Sequence, residues 1–455
     1  MKLSVAELTS AFSDFRGAAE DSSIMISGVF TDSRQEVKKG LFIPIEGERF
    51  DGHDFLKEAI ENGAVASLWK KGREVPKFVP TDFPLFYVED TLSGLQKLAA
   101  FYLEKVNPYV VAVTGSNGKT TTKDMLEAVL SRKYATHKTG GNFNNHIGMP
   151  LTILAMEEGT ELLILEMGMS SFGEISFLSK LARPDIAIIT NIGESHMEQL
   201  GSRAGIAKAK MEIVDGLKDE GKLIIDGDEP LLNSRELGIK TETCGFGAEN
   251  DYIIRDVSFS GEGQAFKLNN EQKEYFIPLP GAYNVKNAVF AIAAGLALGL
   301  DDGQITSGLR NIRLTGMRLE RVKGKNGSLF INDAYNASPT SMKAAVETLK
   351  ELPGYTRKIL VLGDMYELGG NEQELHRSVA DVIGEPITKL IAVGEKGKWI
   401  GEAVSDSQKD IPVHLVRSKE EAGAILEDEL TNETVVLFKA SRGMKLETLV
   451  ESLAE

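Results

Sequence analysis

Cysteine is almost missing from this chain. A single one, Cys244, stands among 455 residues, so no internal disulfide can form and a reducing cytoplasm suits the composition. An excess of basic residues is also lacking. The net charge is −16, which argues against a general nucleic-acid binder, so any anionic ligand has to be held by local positive charge. Long apolar runs are few. The longest uncharged one, Asn287 to Leu300, is too short to span a bilayer and reads as a buried helix. The stretch Met1 to Phe15 has no basic start followed by an apolar core, so no secretory signal is expected there. Neither a low-complexity tract nor a solenoid-period repeat occurs. What remains is the ordinary apolar and charged balance of a globular protein, long enough for two to four domains with sizeable cores.

Against this background one stretch carries clear chemistry. The β-branched run Val110-Val111-Ala112-Val113-Thr114 stops at Gly115-Ser116-Asn117-Gly118, and Lys119-Thr120-Thr121-Thr122 then opens a helical pattern reaching Leu130. The glycines let backbone N–H groups face an anion, the helix N-terminus adds partial positive charge and Lys119 a full one. Thr120 can present its hydroxyl to a phosphate-bound Mg²⁺. Val113 stands where the common phosphate-loop spacing has a glycine, so this is a shorter variant of that loop.

From Tyr109 onward strand and helix patterns alternate, which predicts a parallel sheet covered by helices. The strand Glu161 to Leu165 runs into Glu166, and Asp185 to Ile192 runs into His196. Ligands of open α/β sheets bind at the carboxyl ends of strands. Alone, Glu166 reads equally well as a capping carboxylate, and His196 as a loop histidine. Together with Thr120, at three strand ends, they read as a site that holds Mg²⁺ beside phosphates. In the helical stretch Ile206 to Ile213, Lys208 and Lys210 cannot share a face, and both read as solvated lysines. Between Leu223 and Phe276 short strands and turns show little chemistry.

The first 107 residues mix short strands and helices, and Asn107-Pro108 marks a boundary before the phosphate-loop strand. Within them Asp32-Ser33-Arg34 reads as a solvated turn or as a hydroxyl and guanidinium pair for an anionic ligand. At the other end Gly316 to Glu320 closes the central domain or opens a hinge. Strands at Ser328 to Asn332, Lys358 to Leu362, Leu390 to Val393 and Val435 to Phe438 then alternate with helices as in a doubly wound sheet. Ser338-Pro339 is a helix start, which leaves Asp333 to Ala337 as the loop at a strand's carboxyl end. Lys439 to Gly443 occupies the same position after the last strand, where Arg442 either grips a carboxylate or is solvated.

Taken together, Thr114 to Thr121, the Glu166 and His196 strand ends, Ala209-Lys210 and Asn284-x-x-Asn287-Ala288 resemble the Mur ligase family, ATP-dependent amide-bond synthetases of peptidoglycan precursor assembly. The resemblance covers the whole chain. It implies an N-terminal α/β domain for a UDP-sugar substrate (1–107), a central parallel-sheet ATP-binding domain (108–315) and a C-terminal Rossmann-like domain for the incoming amine (316–455). Asp333 to Met342 and Leu362 to Gly369 are similar to the branch that acts last. The substrates so implied are UDP-N-acetylmuramoyl-tripeptide and D-alanyl-D-alanine, with a monomeric cytoplasmic enzyme and neither nucleic acid nor membrane as partner.

A ligase adding the third residue to the UDP-muramoyl-dipeptide is the nearest alternative. A non-enzymatic nucleotide switch would not need Glu166, His196 and a third domain. By resemblance, Gly115, Ser116, Asn117, Gly118, Lys119, Thr120 and Thr121 cradle the ATP phosphates, Asn287 meets the adenine, and Arg318 and Asp333 meet the phosphates and ribose. Lys119, Glu166, His196 and Lys210 are the implied catalytic set, with two Mg²⁺ ions held by Thr120, Glu166, His196 and a carbamylated Lys210. Ser33, Arg34, Asn144, Asn145, Tyr335, Asn336 and Arg442 are the implied substrate contacts.

Overall fold

The computed structural model describes residues 1–17, 23–232, 238–260, 262–407 and 409–455. Three main sheets follow one another along the chain. The first has five strands in the spatial order Phe15–Arg16, Leu85–Val88, Ala64–Lys70, Gly40–Phe42 and Gly28–Phe30, all parallel except the Phe15–Arg16 edge. Helix Thr91–Val106 leads out of it. Asp90 caps its start by accepting from the Ser93 N–H, and Asn107 ends it in a left-handed conformation just before Pro108.

The central sheet has nine strands, in the order Glu274–Ile277, Gln264–Leu268, Tyr252–Phe259, Lys240–Gly245, Lys222–Asp226, Ile186–Ile189, Tyr109–Thr114, Leu162–Glu166 and Thr136–Lys138. Its middle strands are apolar on both sides, as a sheet covered on two faces requires. Val110, Ala112, Leu163, Leu165, Ala187 and Ile189 join one core, while Val111, Val113, Leu162, Ile164, Ile186 and Ile188 join the other. The first of these cores continues through helix Thr91–Val106 into the N-terminal sheet, reaching Leu68 and Phe86. On the opposite face, Met125, Leu126 and Val129 of helix Lys119–Leu130 pack with helix Ala282–Ala297, the apolar run read from the sequence. One element departs from the expected all-parallel sheet: Tyr252–Phe259, Gln264–Leu268 and Glu274–Ile277 form an antiparallel meander. Gln264–Leu268 and Glu274–Ile277 alternate buried and more open positions, the mark of strands with one wet face, while Tyr252–Phe259 is mostly exposed along its second half.

The C-terminal sheet runs Glu320–Lys323, Leu329–Asn332, Thr434–Lys439, Arg357–Leu362, Lys389–Val393 and Val413–Val416, parallel but for the first. The four central strands lie where the sequence placed them. The two edge strands, Glu-Arg-Val-Lys and Val-His-Leu-Val, lie outside that expectation; each is four residues long and stands partly open at a margin of the sheet. Ser338 caps helix Pro339–Glu351 and accepts from the Ser341 N–H, with Pro339 in the first turn. Among the described residues no helix is long and apolar enough to cross a membrane.

Candidate active site

A cleft of about 660 Å³ opens at the carboxyl ends of the central strands and is closed on its far side by the third domain. The phosphate loop forms its floor. Gly118 has φ +82 and a Cβ there would sit 2.8 Å from Asn287 Oδ1, while a Cβ on Gly115 would collide with Thr190 Oγ1 at 1.9 Å. Both positions therefore demand glycine. The neighbouring strand end pins the loop: Asn117 N–H donates to Asn191 Oδ1 at 2.9 Å, and Thr190 Oγ1 donates to the Asn117 carbonyl at 2.6 Å. Lys119 Nζ donates to the Gly115 carbonyl at 2.8 Å, and burial lowers its pKa against the raising field of Glu166.

Glu166 is buried at the very end of its strand and both its oxygens are engaged. Thr120 Oγ1 donates to Oε2 and Asn144 Nδ2 to Oε1, each at 2.9 Å. Lys210 shares the cleft and is only 2% exposed. This corrects its reading as a solvated lysine: its helix, Arg203–Met211, turns that side chain inward, while Lys208 lies 5.9 Å above the Phe172 ring. Burial, then repulsion by Lys119, pushes the Lys210 amine well below its usual pKa. His196 also lines the cleft. Its Nδ1 lies 2.7 Å from Glu367 Oε2 of the third domain, near enough for an ion pair although Nδ1 makes no hydrogen bond there. Burial lowers the His196 pKa, and Glu367 works in the opposite direction.

The third domain brings Arg318, whose guanidinium stacks 4.3 Å from the Tyr335 ring, and Asp333, paired with Lys439 at 2.5 Å. Asn336 lines the same wall and its carbonyl accepts from Lys439 at 3.1 Å. Besides the His196–Glu367 pair, two further polar contacts tie this domain to the central one. Ser338 Oγ donates to Asn117 Oδ1 at 3.1 Å, and Glu194 accepts from the Thr340 hydroxyl at 2.8 Å. Ser116 Oγ, Asn117 Nδ2 and Arg318 Nε are buried without hydrogen-bond partners. Three unsatisfied polar groups on residues that line one cleft, beside two desolvated lysines, fit a polyanionic ligand.

Of the substrate contacts expected from sequence, Asn144, Asn145, Tyr335 and Asn336 line the cleft. Asn145 also borders a second cavity of about 680 Å³, which lies against Gly28 to Thr31 and Gln35 of the first domain. Ser33 and Arg34 face neither cavity. Ser33 Oγ is turned inward to Glu58, and Arg34 folds back on Asp32 at 2.7 and 2.8 Å with its side chain 80% exposed. The solvated-turn reading describes Arg34 as it stands. Arg442 likewise lies outside the cleft, pairing with Glu447 at 2.8 Å. In that stretch the cleft takes Lys439 instead, because the strand ends there and directs its amine to Asp333. Sequence reasoning missed Lys439, Glu194, Glu367, Asp226 and Phe246. For Lys439 the strand-end position was a usable signal; the others depend on long-range packing. The stretch Leu223 to Phe276, read as poor in chemistry, supplies Asp226 and Phe246 to the cleft, and its residues 233–237 and 261 lie outside those described.

Comparison with known proteins agrees with this architecture. The models of the Mur ligase family catalytic domain, the Mur ligase middle domain and the Mur ligase glutamate ligase domain match residues 25–103, 113–295 and 317–442. The UDP-N-acetylmuramoyl-tripeptide–D-alanyl-D-alanine ligase of Bacillus subtilis (strain 168) is 51% identical, over 95% of this chain and 94% of its own length. Its namesake from Escherichia coli (strain K12) is 33% identical over 96% of each. Among solved structures, MurF from Acinetobacter baumannii superposes with a TM-score of 0.88 at 30% identity, covering 100% of this chain and 99% of that one. The MurF ligase of Thermotoga maritima in complex with ADP gives 0.82 at 30% identity, over 94% and 96%. From its three sheets, its phosphate loop and these matches along nearly its whole length, the chain belongs to the Mur ligase family.

Proposed function

We propose that this chain joins D-alanyl-D-alanine to UDP-N-acetylmuramoyl-tripeptide, driven by ATP, in peptidoglycan precursor synthesis. One observation carries the reading: Lys119, Thr120, Glu166, His196 and Lys210 meet Arg318 and Asp333 in one cleft between two domains. Full-length likeness to ligases named for this reaction supports the choice of substrates over the dipeptide-extending alternative. A nucleotide-linked precursor and the scarcity of cysteine support a cytoplasmic setting for this reaction.

A carboxylate is a poor electrophile, so the terminal carboxylate of the tripeptide has to be activated. Its oxygen attacks the γ-phosphorus, the bond to the β-phosphate oxygen breaks, and ADP leaves behind an acyl phosphate. The neutral amine of the dipeptide then attacks the acyl carbon, inorganic phosphate departs, and the nitrogen loses its proton. Both steps gather anions, and Lys119 and Arg318, which both line the cleft, offset that charge. Lys119 is held on the Gly115 carbonyl, poised over the loop that receives the phosphates.

The donors present fit Mg²⁺ in part. The Thr120 hydroxyl and Glu166 carboxylate are the hard oxygen ligands that this ion prefers, whereas the nitrogens of His196 and Lys210 are not. Carbamylation resolves the mismatch at Lys210: its amine adds CO₂ and loses a proton, giving an anionic oxygen donor. Burial favours the uncharged amine that this addition requires. Bound there, Mg²⁺ supplies neutralisation of phosphoryl charge. We assign the dipeptide to the third-domain wall at Tyr335 and Asn336. The UDP-sugar end goes to the second cavity beside Thr31 and Asn145 rather than to Arg34. The test is phosphate release from ATP with candidate UDP-muramoyl peptides crossed against D-alanyl-D-alanine and free amino acids. Release that requires the tripeptide and the dipeptide together is expected; release with a free amino acid and the UDP-muramoyl-dipeptide would favour the alternative.

A further inference from the structure

After strand Arg357–Leu362 the chain runs through residues 363–368 without regular structure, and this stretch carries Glu367 to His196. A partly buried, irregular backbone has to find hydrogen-bond partners elsewhere in the fold. Here three successive N–H groups are each captured by a side chain. Asp364 N–H donates to Met444 Sδ at 2.8 Å, Met365 N–H to His376 Nε2 at 2.9 Å and Tyr366 N–H to Ser441 Oγ at 2.9 Å. The Asp364 carboxylate adds a further tie, since its Oδ1 accepts from the Lys396 and Gly397 N–H groups at 2.9 and 2.7 Å. Past these anchors Glu367 takes its left-handed φ of 62. Gly369 then comes down on the central domain, where a Cβ would meet Glu198 Cα at 3.3 Å.

His376 is wholly buried in helix Glu372–Arg377, edge-on to Trp399 with ring centroids 5.5 Å apart. Its two partners decide its tautomer. The Glu372 carbonyl, 2.6 Å from Nδ1, can only accept, and the Met365 N–H can only donate. The proton therefore sits on Nδ1, and a bare Nε2 faces the loop. Burial keeps the ring uncharged by lowering its pKa; the Glu372 carbonyl, Asp364 and the Glu372 carboxylate oppose that, while Lys396 adds to it. A ring bonded at both nitrogens and packed on its edge has one orientation. The place of Met365, two residues before Glu367, is thus set from inside the third domain. Neither His376 nor Met365 lines the cleft.

We infer that His376 is a positioning residue for the ligation: through the Met365 amide it holds the turn that presents Glu367 to His196. The inference rests on the function proposed above and adds to it a residue remote from the cleft. With the Met365 N–H unheld, the turn shifts, Glu367 leaves its place beside Nδ1, and the imidazole loses its orientation; displacements of that size are costly where reacting groups have to be aligned. The phosphate loop keeps its own pins, Asn191 and Thr190, so nucleotide binding does not depend on this anchor.

The test is phosphate release by the full chain with ATP, UDP-N-acetylmuramoyl-tripeptide and D-alanyl-D-alanine. His376→Asn keeps an amide near Nδ1 for the Glu372 carbonyl but reaches no further, leaving the Met365 N–H unheld. His376→Gln extends an acceptor to the place of Nε2. The Asn variant should lose kcat about ten-fold with the KM for ATP unchanged, and the Gln variant should recover most of that loss. In a Glu367→Ala background His376→Asn should cost nothing further, because the turn then has nothing to present. An equal loss in both backgrounds, or a Gln variant as slow as the Asn one, makes His376 a packing residue and overturns the inference. So does a folded Asn variant with the parent kcat. Nitrogen NMR of the histidine-labelled parent decides independently of how the variants fold: a bare Nε2 on His376 at neutral pH is expected, and a protonated one overturns the inference. Absence of phosphate release by the parent with this substrate pair would instead sink the proposed function, and this inference with it.

Discussion

Glu367 of the third domain lies 2.7 Å from Nδ1 of His196 in the central domain, and both residues hold left-handed backbones, φ 62 and φ 63. Such conformations cost non-glycine residues about 1–3 kcal/mol each and persist where the surroundings over-determine them. Here the two strained residues meet across the seam that closes the cleft, beside Glu194 and Thr340. The contact makes the orientation of the imidazole depend on docking of the third domain, a step suited to gating. Glu367→Ala should therefore lower kcat about ten-fold or more with little change in the KM for ATP, since small misplacements in an active site carry penalties of that order. Steady-state kinetics with an unchanged kcat would reduce the contact to a surface ion pair.

Lys119→Ala should abolish ligation by at least about 10²-fold, the loss expected when a group stabilising developing charge is removed. Its amine makes only two loop-carbonyl contacts, so the fold should survive. Circular dichroism and phosphate release on the same sample check both halves.

Lys210→Ala should lose most activity, and acetate should restore part of it by offering a carboxylate in the vacated space. Lys208→Ala is the control, because Lys208 lies over Phe172 outside the cleft. Carbon dioxide depletion should depress the parent enzyme and leave Lys210→Ala unchanged. Identical behaviour of the two alanine variants would return Lys210 to an ordinary lysine and leave Glu166 and His196 to act without it.

Asp228 provides a pH test of the turn after strand Lys240–Gly245, where the Phe246 and Gly247 N–H groups donate to its carboxylate at 2.8 and 2.9 Å. Burial alone would raise its carboxyl, but hydrogen bonds from the Phe246 N–H, Lys286 and the Gly247 N–H outweigh that and hold it at about 2. A depressed folded-state pKa stabilises the protein above the unfolded value and ceases to do so as pH falls through the folded one. Asp228→Asn should therefore be less stable than the parent at neutral pH, with the gap closing from about pH 4, the unfolded carboxylate range, downward. Thermal melts across that range measure it; a gap independent of pH would mean that the loss is steric.

Much of this site was legible because strand ends are legible. Val110 to Thr114 and Leu162 to Ile164 are apolar on both faces, so the residues that follow them fall at the carboxyl edge where ligands bind. Thr120, Glu166 and His196 were placed on that ground, and the capped helix at Ser338-Pro339 fixed the Asp333 loop in the same way. Lys210 was not readable from helix spacing, because only the packing of Arg203–Met211 against the sheet decides which lysine turns inward. Arg34 misled for a related reason. A short-range partner, Asp32, satisfies it locally, and sequence alone cannot weigh that pair against a ligand. Phe246 and Glu367 depend on contacts spanning tens to hundreds of residues, and no local pattern marks them.

The central claim is that ATP activates the tripeptide carboxylate itself, and isotope transfer tests it most directly. UDP-N-acetylmuramoyl-tripeptide labelled with heavy oxygen in its terminal carboxylate would be turned over with ATP and D-alanyl-D-alanine, and the released phosphate examined by mass spectrometry. An acyl phosphate passes one carboxylate oxygen to phosphorus, so each phosphate released from fully labelled substrate should carry a heavy oxygen. Phosphate free of label, at a rate matching product formation, would contradict the account.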